Sequence, residues 1–97
     1  MGVRLTVRVQ FPDGSPVSGA QIRGVNHDAW SAKHRDWPAT TDLSGTHTWD
    51  SIDKGTLGDR YTFSATATDL RGDKWVGEVA VRLSKDTDLV ITLHRPD

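Results

Sequence analysis

Residues 3–11 read VRLTVRVQF, and apolar and polar side chains alternate along the whole run. A strict period of two over these residues, with several β-branched side chains, is typical of a half-buried β-strand. The run ends at PDGSP, residues 12–16, which is a strong turn signal. This stretch predicts that the chain opens with a strand whose valines face a core.

Further runs that favour strands follow along the chain. They lie at residues 17–25, 39–42, 46–49, 60–68, 74–83 and 88–94. Turns rich in Gly, Pro, Asp and Ser separate them, and a second polar loop is predicted at residues 50–59. About seven short strands at this spacing, each with one apolar face, predict an all-β sandwich of two sheets. The prediction covers residues 1–97 as a single domain.

Charge and composition exclude several classes of partner. The chain has 97 residues, 12 basic and 13 acidic side chains, and a net charge of -1. We therefore expect neither a nucleic-acid partner nor a membrane partner. No cysteine is present, which excludes disulfides and cysteine-ligated zinc. The start lacks an apolar signal segment, which predicts cytoplasmic synthesis, a place on a virion or assembly surface, or excision from something longer.

Turn motifs at fixed positions carry a family resemblance. The pattern VxVxxPDGxPVxGAxI, residues 7–22, resembles the opening of carboxypeptidase regulatory-like domains, which are prealbumin-like (transthyretin-like) sandwiches. TDxxG at residues 41–45 and GxxYxF at residues 58–63 also fit. The resemblance implies a seven-stranded Greek-key sandwich, Ig-like or prealbumin-like. It also implies a non-catalytic role in folding, adhesion, spacing or partner binding.

Two relatives of that family are separated by their own residues. Hydroxyisourate hydrolases carry a histidine in the first strand, where this chain has Arg8. They end in Tyr-Arg-Gly-Ser, whereas this chain ends in HRPD, residues 94–97. Collagen-adhesin B-type modules join a lysine of the first strand to an asparagine of the last. The corresponding strands here lack both residues, so no such cross-link is expected.

The alternation fails over residues 26–38, from Asn26 to Pro38. Irregular stretches of this length in compact domains are uncommon and often functional. The candidate binding residues of this stretch are Trp30, Trp37, His27, His34, Lys33 and Arg35. An exposed indole suits a protein hot spot or a sugar ring. The alternative is that one or both tryptophans fold back as a lid over the end of the sandwich.

Three other groups of side chains could carry chemistry or recognition. Asp50 and Asp53 could act as an acid and a base, but no apolar pocket is predicted that would separate their pKa values. The tripeptide at residues 71–73, RGD, is either an integrin-type signal or simple turn chemistry at a hairpin tip. A metal could be held by His27, Asp28, His34 and Asp36. Their spacing matches no metal-ligand pattern, so we predict no metal, no cofactor and no catalytic residues.

These observations favour a non-catalytic binding or assembly module that docks on a larger protein surface. A decoration or accessory subunit of a virion or filament is one example. A carbohydrate-binding module that uses the loop tryptophans is one alternative. A transthyretin-like small-molecule hydrolase is the other. A protein partner or a larger assembly is therefore expected, with a glycan as the second option.

Overall fold

A computed structural model describes residues 2–55 and 57–96. Strands account for most of these residues, and a 3-10 turn (Ala32–His34) precedes the third strand. The strands are β1 (Gly2–Gln10), β2 (Gln21–Asn26), β3 (Asp36–Thr40), β4 (Thr46–Asp53), β5 (Asp59–Thr68), β6 (Lys74–Leu83) and β7 (Thr87–Thr92). Among the described residues, no helix has the length and apolar content needed to cross a bilayer.

The strands form two sheets. One sheet has the order β4-β1-β7 and the other has the order β3-β2-β5-β6. β1 pairs in parallel with β7, and the other pairs are antiparallel. β2–β3 and β5–β6 stay within one sheet, whereas the chain crosses between sheets elsewhere. This arrangement confirms the predicted fold class, an all-β sandwich of seven strands with Greek-key connections.

The core lies between the two sheets and follows from the alternation. Leu5, Val7 and Val9 of β1 are fully buried. Tyr61 and Phe63 of β5 face them from the other sheet, with exposed fractions of 1% and 0%. Burying one such side chain stabilises a fold by about 1.5–3 kcal/mol. The alternating pattern of β1 therefore supplies one inner face of the sandwich, and that of β5 supplies the other.

β2 is shorter than predicted. It begins at Gln21, not at residue 17, because residues 17–20 form a tight turn in which Gly19 has a φ of +75°. Thr41 holds this turn, since its hydroxyl donates to the carbonyl of Val17 (2.6 Å) and accepts from the amide of Ala20 (2.8 Å). Val17 is still buried in the core. The strand predicted over residues 17–20 is therefore wrong, although Val17 and Ala20 are buried.

The predicted irregular stretch at residues 26–38 is also shorter in the structure. Asn26 ends β2, and β3 begins at Asp36, so the connection comprises residues 27–35. The strand predicted at residues 39–42 corresponds to β3, whose start was missed because Pro38 interrupts its run. Pro38 is tolerated here because β3 lies at a sheet edge. The predicted polar loop at residues 50–59 likewise begins too early, since β4 continues to Asp53 and buries Ile52 completely.

Candidate functional site

Two connections meet at one end of the sandwich. β2 and β4 end there, and β3 and β5 begin there. We call residues 27–35, between β2 and β3, the Trp30 loop. The connection between β4 and β5 contributes Lys54 and Leu57 to the same end. This end, which we call the Trp30 end, brings together two segments that are far apart in the sequence.

A buried asparagine fixes the start of the Trp30 loop. Asn26 is 1% exposed, and its amide donates to Oδ2 of Asp59 (3.0 Å) and to the hydroxyl of Tyr61 (3.1 Å). Its Oδ1 accepts the backbone N–H of Asp28 at 2.9 Å. Buried polar atoms need such partners, because an unsatisfied one costs about 1–3 kcal/mol. The first two bonds therefore tie the base of the loop to β5, and the third fixes its first turn.

Tyr61 extends this network to β4. Its hydroxyl donates to the backbone carbonyl of Asp53 at 2.6 Å. Burial raises the pKa of the Tyr61 phenol, and the negative charge of Asp53 raises it further. The phenol therefore stays protonated and remains a hydrogen-bond donor. Tyr61 thus links the end of β4 to the amide of Asn26 at the start of the Trp30 loop.

An ion pair anchors the first half of the loop from outside. The Arg60 guanidinium donates to Oδ1 of Asp28 at 2.8 Å, and the Arg60 backbone N–H donates to its Oδ2 at 2.8 Å. These hydrogen bonds lower the pKa of Asp28 from 3.8 to about 2, and the side-chain bond makes the larger contribution. Beside this pair, Nε2 of His27 lies 2.8 Å from the hydroxyl of Thr62. Both side chains connect the loop to β5.

His34 anchors the second half of the loop. Its Nδ1 lies 2.7 Å from Oδ2 of Asp53 on β4. Its backbone carbonyl accepts the indole N–H of Trp37 at 2.9 Å. Its ring stacks on Trp30, with the ring centroids 4.7 Å apart and an angle of 31° between the planes. His34 therefore contacts β4, β3 and the indole of Trp30 at once.

The two loop tryptophans have different environments. Trp30 is 82% exposed. Trp37 lies in β3, is half-buried and packs against the core. Trp37 therefore packs inward as a residue of β3, whereas Trp30 remains exposed on the loop. Lys33 and Arg35 are exposed on the Trp30 loop. Of the candidate residues, the structure brings Trp30 and His34 into contact, whereas Trp37 packs inward.

A pocket of about 310 Å³ opens beside Trp30. Its walls mix an aromatic ring, carboxylates, an amide and an ammonium group. The lining residues are Asn26, Ala29, Trp30, His34, Asp53, Lys54 and Asp59. Asn26, Lys54 and Asp59 were not predicted as site residues, and Asp53 was considered only as a partner of Asp50. The hairpin order of the strands was the available signal, since it places the β2–β3 and β4–β5 connections at one end.

The candidate metal ligands are dispersed. His27 contacts Thr62, Asp28 pairs with Arg60, and His34 contacts Asp53. Asp36 pairs with Arg23 at 3.0 Å. Within residues 2–55 and 57–96, no group of three or more His, Cys, Asp or Glu side chains could hold a metal ion. The side chains that were considered together in the sequence therefore serve separate local contacts.

The RGD tripeptide lies at the opposite end of the sandwich, in the turn between β5 and β6. Oδ1 of Asp69 accepts the backbone N–H groups of Arg71 and Asp73, each at 2.9 Å. Gly72 has a φ of +87°, which favours glycine. The Asp73 carboxylate accepts a hydrogen bond from Arg95 at 3.2 Å. Turn chemistry and a local ion pair account for all three residues.

Comparisons with known proteins bear on the fold. No known protein family and no curated protein matches the sequence. The solved structure of BcpA, the major pilin subunit of Bacillus cereus, is similar over 98% of this chain and 30% of its own, with a TM-score of 0.68 and 15% identity. A DUF4876 family protein from Bacteroides thetaiotaomicron is similar over 94% of this chain and 23% of its own, with a TM-score of 0.55 and 16% identity.

These likenesses concern the fold alone, because both identities are low. The chain spans less than a third of the length of either protein. Both are consistent with an Ig-like or prealbumin-like sandwich.

Proposed function

We propose that this chain is a single-domain, non-catalytic module that docks on a larger protein surface through its Trp30 end. The observation that carries the proposal is the 82% exposure of Trp30 on a loop that is anchored on both sides. Asp28 holds the loop to Arg60 before the tryptophan, and His34 holds it to Asp53 after it. An exposed indole in a preorganised position is the usual form of an interface hot spot.

A second apolar side chain supports the same surface. Leu57, on the connection between β4 and β5, is 89% exposed at the Trp30 end. Lys33 and Arg35 are exposed on the same loop as Trp30. Exposed apolar side chains accompanied by charged ones are typical of a protein-binding surface. The similarity to a pilin subunit also supports an assembly role, and a decoration or accessory subunit of a filament or virion is the form we favour.

We also propose that the sandwich belongs to the carboxypeptidase regulatory-like, prealbumin-like group, on the basis of its turn motifs. Asp13 supports the first of these motifs, because its carboxylate accepts the backbone N–H of Ser15 at 2.9 Å and its hydroxyl at 2.6 Å. Gly14 follows with a φ of +88°. The motif therefore encodes the turn that leads from the first sheet toward the second.

Site-specific photo-cross-linking followed by reconstitution tests the docking surface. A benzophenone amino acid at position 30 is expected to capture a partner in the cells that produce the protein. The same amino acid at position 43 should capture none, because Leu43 is 88% exposed at the opposite end. Against the purified partner, Trp30→Ala should lower affinity at least tenfold, whereas Leu43→Ala should change it less than twofold. Equal affinities for the two variants would remove the Trp30 end as the docking surface.

A further inference from the structure

The far end of the sandwich shows how this fold holds a guanidinium group. The Arg95 guanidinium carbon lies 5.0 Å from the ring centroid of Trp75. Its Nη1 donates to Oδ2 of Asp73 at 3.2 Å. The indole N–H of Trp75 in turn donates to Oδ2 of Asp69 at 3.0 Å. One indole face and one neighbouring carboxylate thus form a complete site for a basic side chain.

The Trp30 end presents the same groups with the indole still exposed. Trp30 takes the place of Trp75, and two carboxylates, Asp53 and Asp59, line the pocket beside it. One face of the indole lies against His34, and the side chain remains 82% exposed. The pocket therefore offers an aromatic wall next to negative charge, which is the arrangement that Arg95 occupies at the far end.

The charge of the pocket favours a cation. Two carboxylates and one ammonium group, Lys54, are the formally charged groups that line it when His34 is neutral. The carboxylates are held in place, because Oδ2 of Asp59 accepts from Asn26 and Oδ2 of Asp53 lies 2.7 Å from Nδ1 of His34. Lys54 is exposed on a flexible stem. The fixed field is thus negative, and the positive charge can move aside.

The size and lining of the pocket suit one long side chain. A space of about 310 Å³ lies at the lower end of the range for small-molecule sites. Ala29 and Trp30 supply apolar surface for an aliphatic stem, and Asp53 and Asp59 can receive the charged head. We propose that this pocket receives an arginine or lysine side chain of the docking partner. The proposal rests on the proposed docking function and names the chemistry that the partner presents.

A titration with amino-acid amides tests this without the partner. The probes are N-acetyl-arginine amide and N-acetyl-lysine amide, and N-acetyl-citrulline amide is the neutral counterpart of arginine. Methyl glucoside and methyl galactoside form a sugar arm. The readout is the NMR shift of the Trp30 indole N–H and of the Asn26 side-chain amide, at about pH 8. We expect saturable shifts with at least one basic probe and at least fivefold weaker binding of citrulline.

Substitutions at Asp59 and Lys54 should change the affinity for the basic probe in opposite directions, and a substitution at Asp50 is the control. Asp59→Asn should weaken binding of the basic probe at least fivefold, and Asp50→Asn, on an exposed residue of β4, should change it less than twofold. Lys54→Gln should strengthen binding about two- to fivefold, because it removes the competing ammonium group. Asp59→Asn alters a hydrogen-bond partner of Asn26, whereas Lys54→Gln replaces neither partner of that bond. The gain from Lys54→Gln can therefore be interpreted independently of the Asn26 network.

Several outcomes would overturn the proposal. They are the absence of a saturable shift with both basic probes, equal binding of citrulline, stronger binding of a methyl glycoside, and no gain from Lys54→Gln. Failure of the docking function is a separate result, namely partner affinity that is insensitive to Trp30→Ala. A partner that needs Trp30 while both basic probes fail to bind would refute the basic side chain and leave the docking surface intact.

Discussion

Replacing Asn26 by alanine tests whether the buried amide holds the Trp30 end together. The substitution removes two hydrogen bonds from Nδ2, at 3.0 and 3.1 Å, and one to Oδ1, at 2.9 Å. At about 1 kcal/mol net for each bond, Asn26→Ala should lower the free energy of unfolding by about 3 kcal/mol. For a domain of this size, that loss corresponds to a decrease in Tm of about 12–24 °C.

The assay is urea denaturation followed by tryptophan fluorescence, with a thermal scan by circular dichroism. Gln21→Ala is the matched control, because Gln21 lies in the same strand with an exposed amide side chain, and its loss should be below about 0.5 kcal/mol. Tyr61→Phe should cost about 1–2 kcal/mol, since it removes the donor to Asp53. The double variant should show a coupling of at least about 0.5 kcal/mol. A loss for Asn26→Ala as small as that of Gln21→Ala would refute the reasoning.

Three further predictions concern packing and charge. Trp37→Ala should destabilise the protein by about 2–3 kcal/mol in urea denaturation, because the indole packs on the core; a loss below about 0.5 kcal/mol would contradict that packing. Gly24→Ala should cost about 1–3 kcal/mol by the same measurement, because its new Cβ would collide with the Phe63 ring, and unchanged stability would show that the ring moves freely. The pKa of Asp28 is lower in the folded state, so its contribution is complete above its unfolded value and is lost as the pH falls toward about 2. Urea midpoints between about pH 5 and 2 should therefore fall less steeply for Asp28→Asn than for the wild type, and parallel curves would contradict the role of Arg60.

The strands that could be predicted from the sequence are those with long local patterns. β1, β5 and β6 lie within one residue of their predicted bounds because a period of two is visible over eight to ten positions. The strand predicted at residues 39–42 overlaps β3 only at its last two residues, because only Trp37 and Ala39 face inward along β3 and Pro38 separates them. Its strand geometry comes from pairing with β2, which is a contact that no local pattern records.

The candidate site could be predicted only in part, for the same reason. The break in alternation identified the segment that carries Trp30 and His34. Which tryptophan is exposed depends on contacts across 19 to 32 residues of sequence, from His34 to Asp53 and from Asp28 to Arg60. Asp53 and Asp59 line the pocket beside Trp30 because the β4–β5 connection lies at the same end of the sandwich. That placement is a property of the sheet order and not of either loop.

The parallel pairing of β1 with β7 has a mechanical consequence. Residues 5–10 of β1 pair with residues 87–92 of β7, and both strands run from the Trp30 end to the far end. A force that pulls Gly2 and Leu93 apart therefore slides the two strands against each other and loads all of these pairs in shear at once. Peeling would break the same bonds one after another. A chain held under tension through these two strands would therefore yield only when this ladder ruptures as a whole.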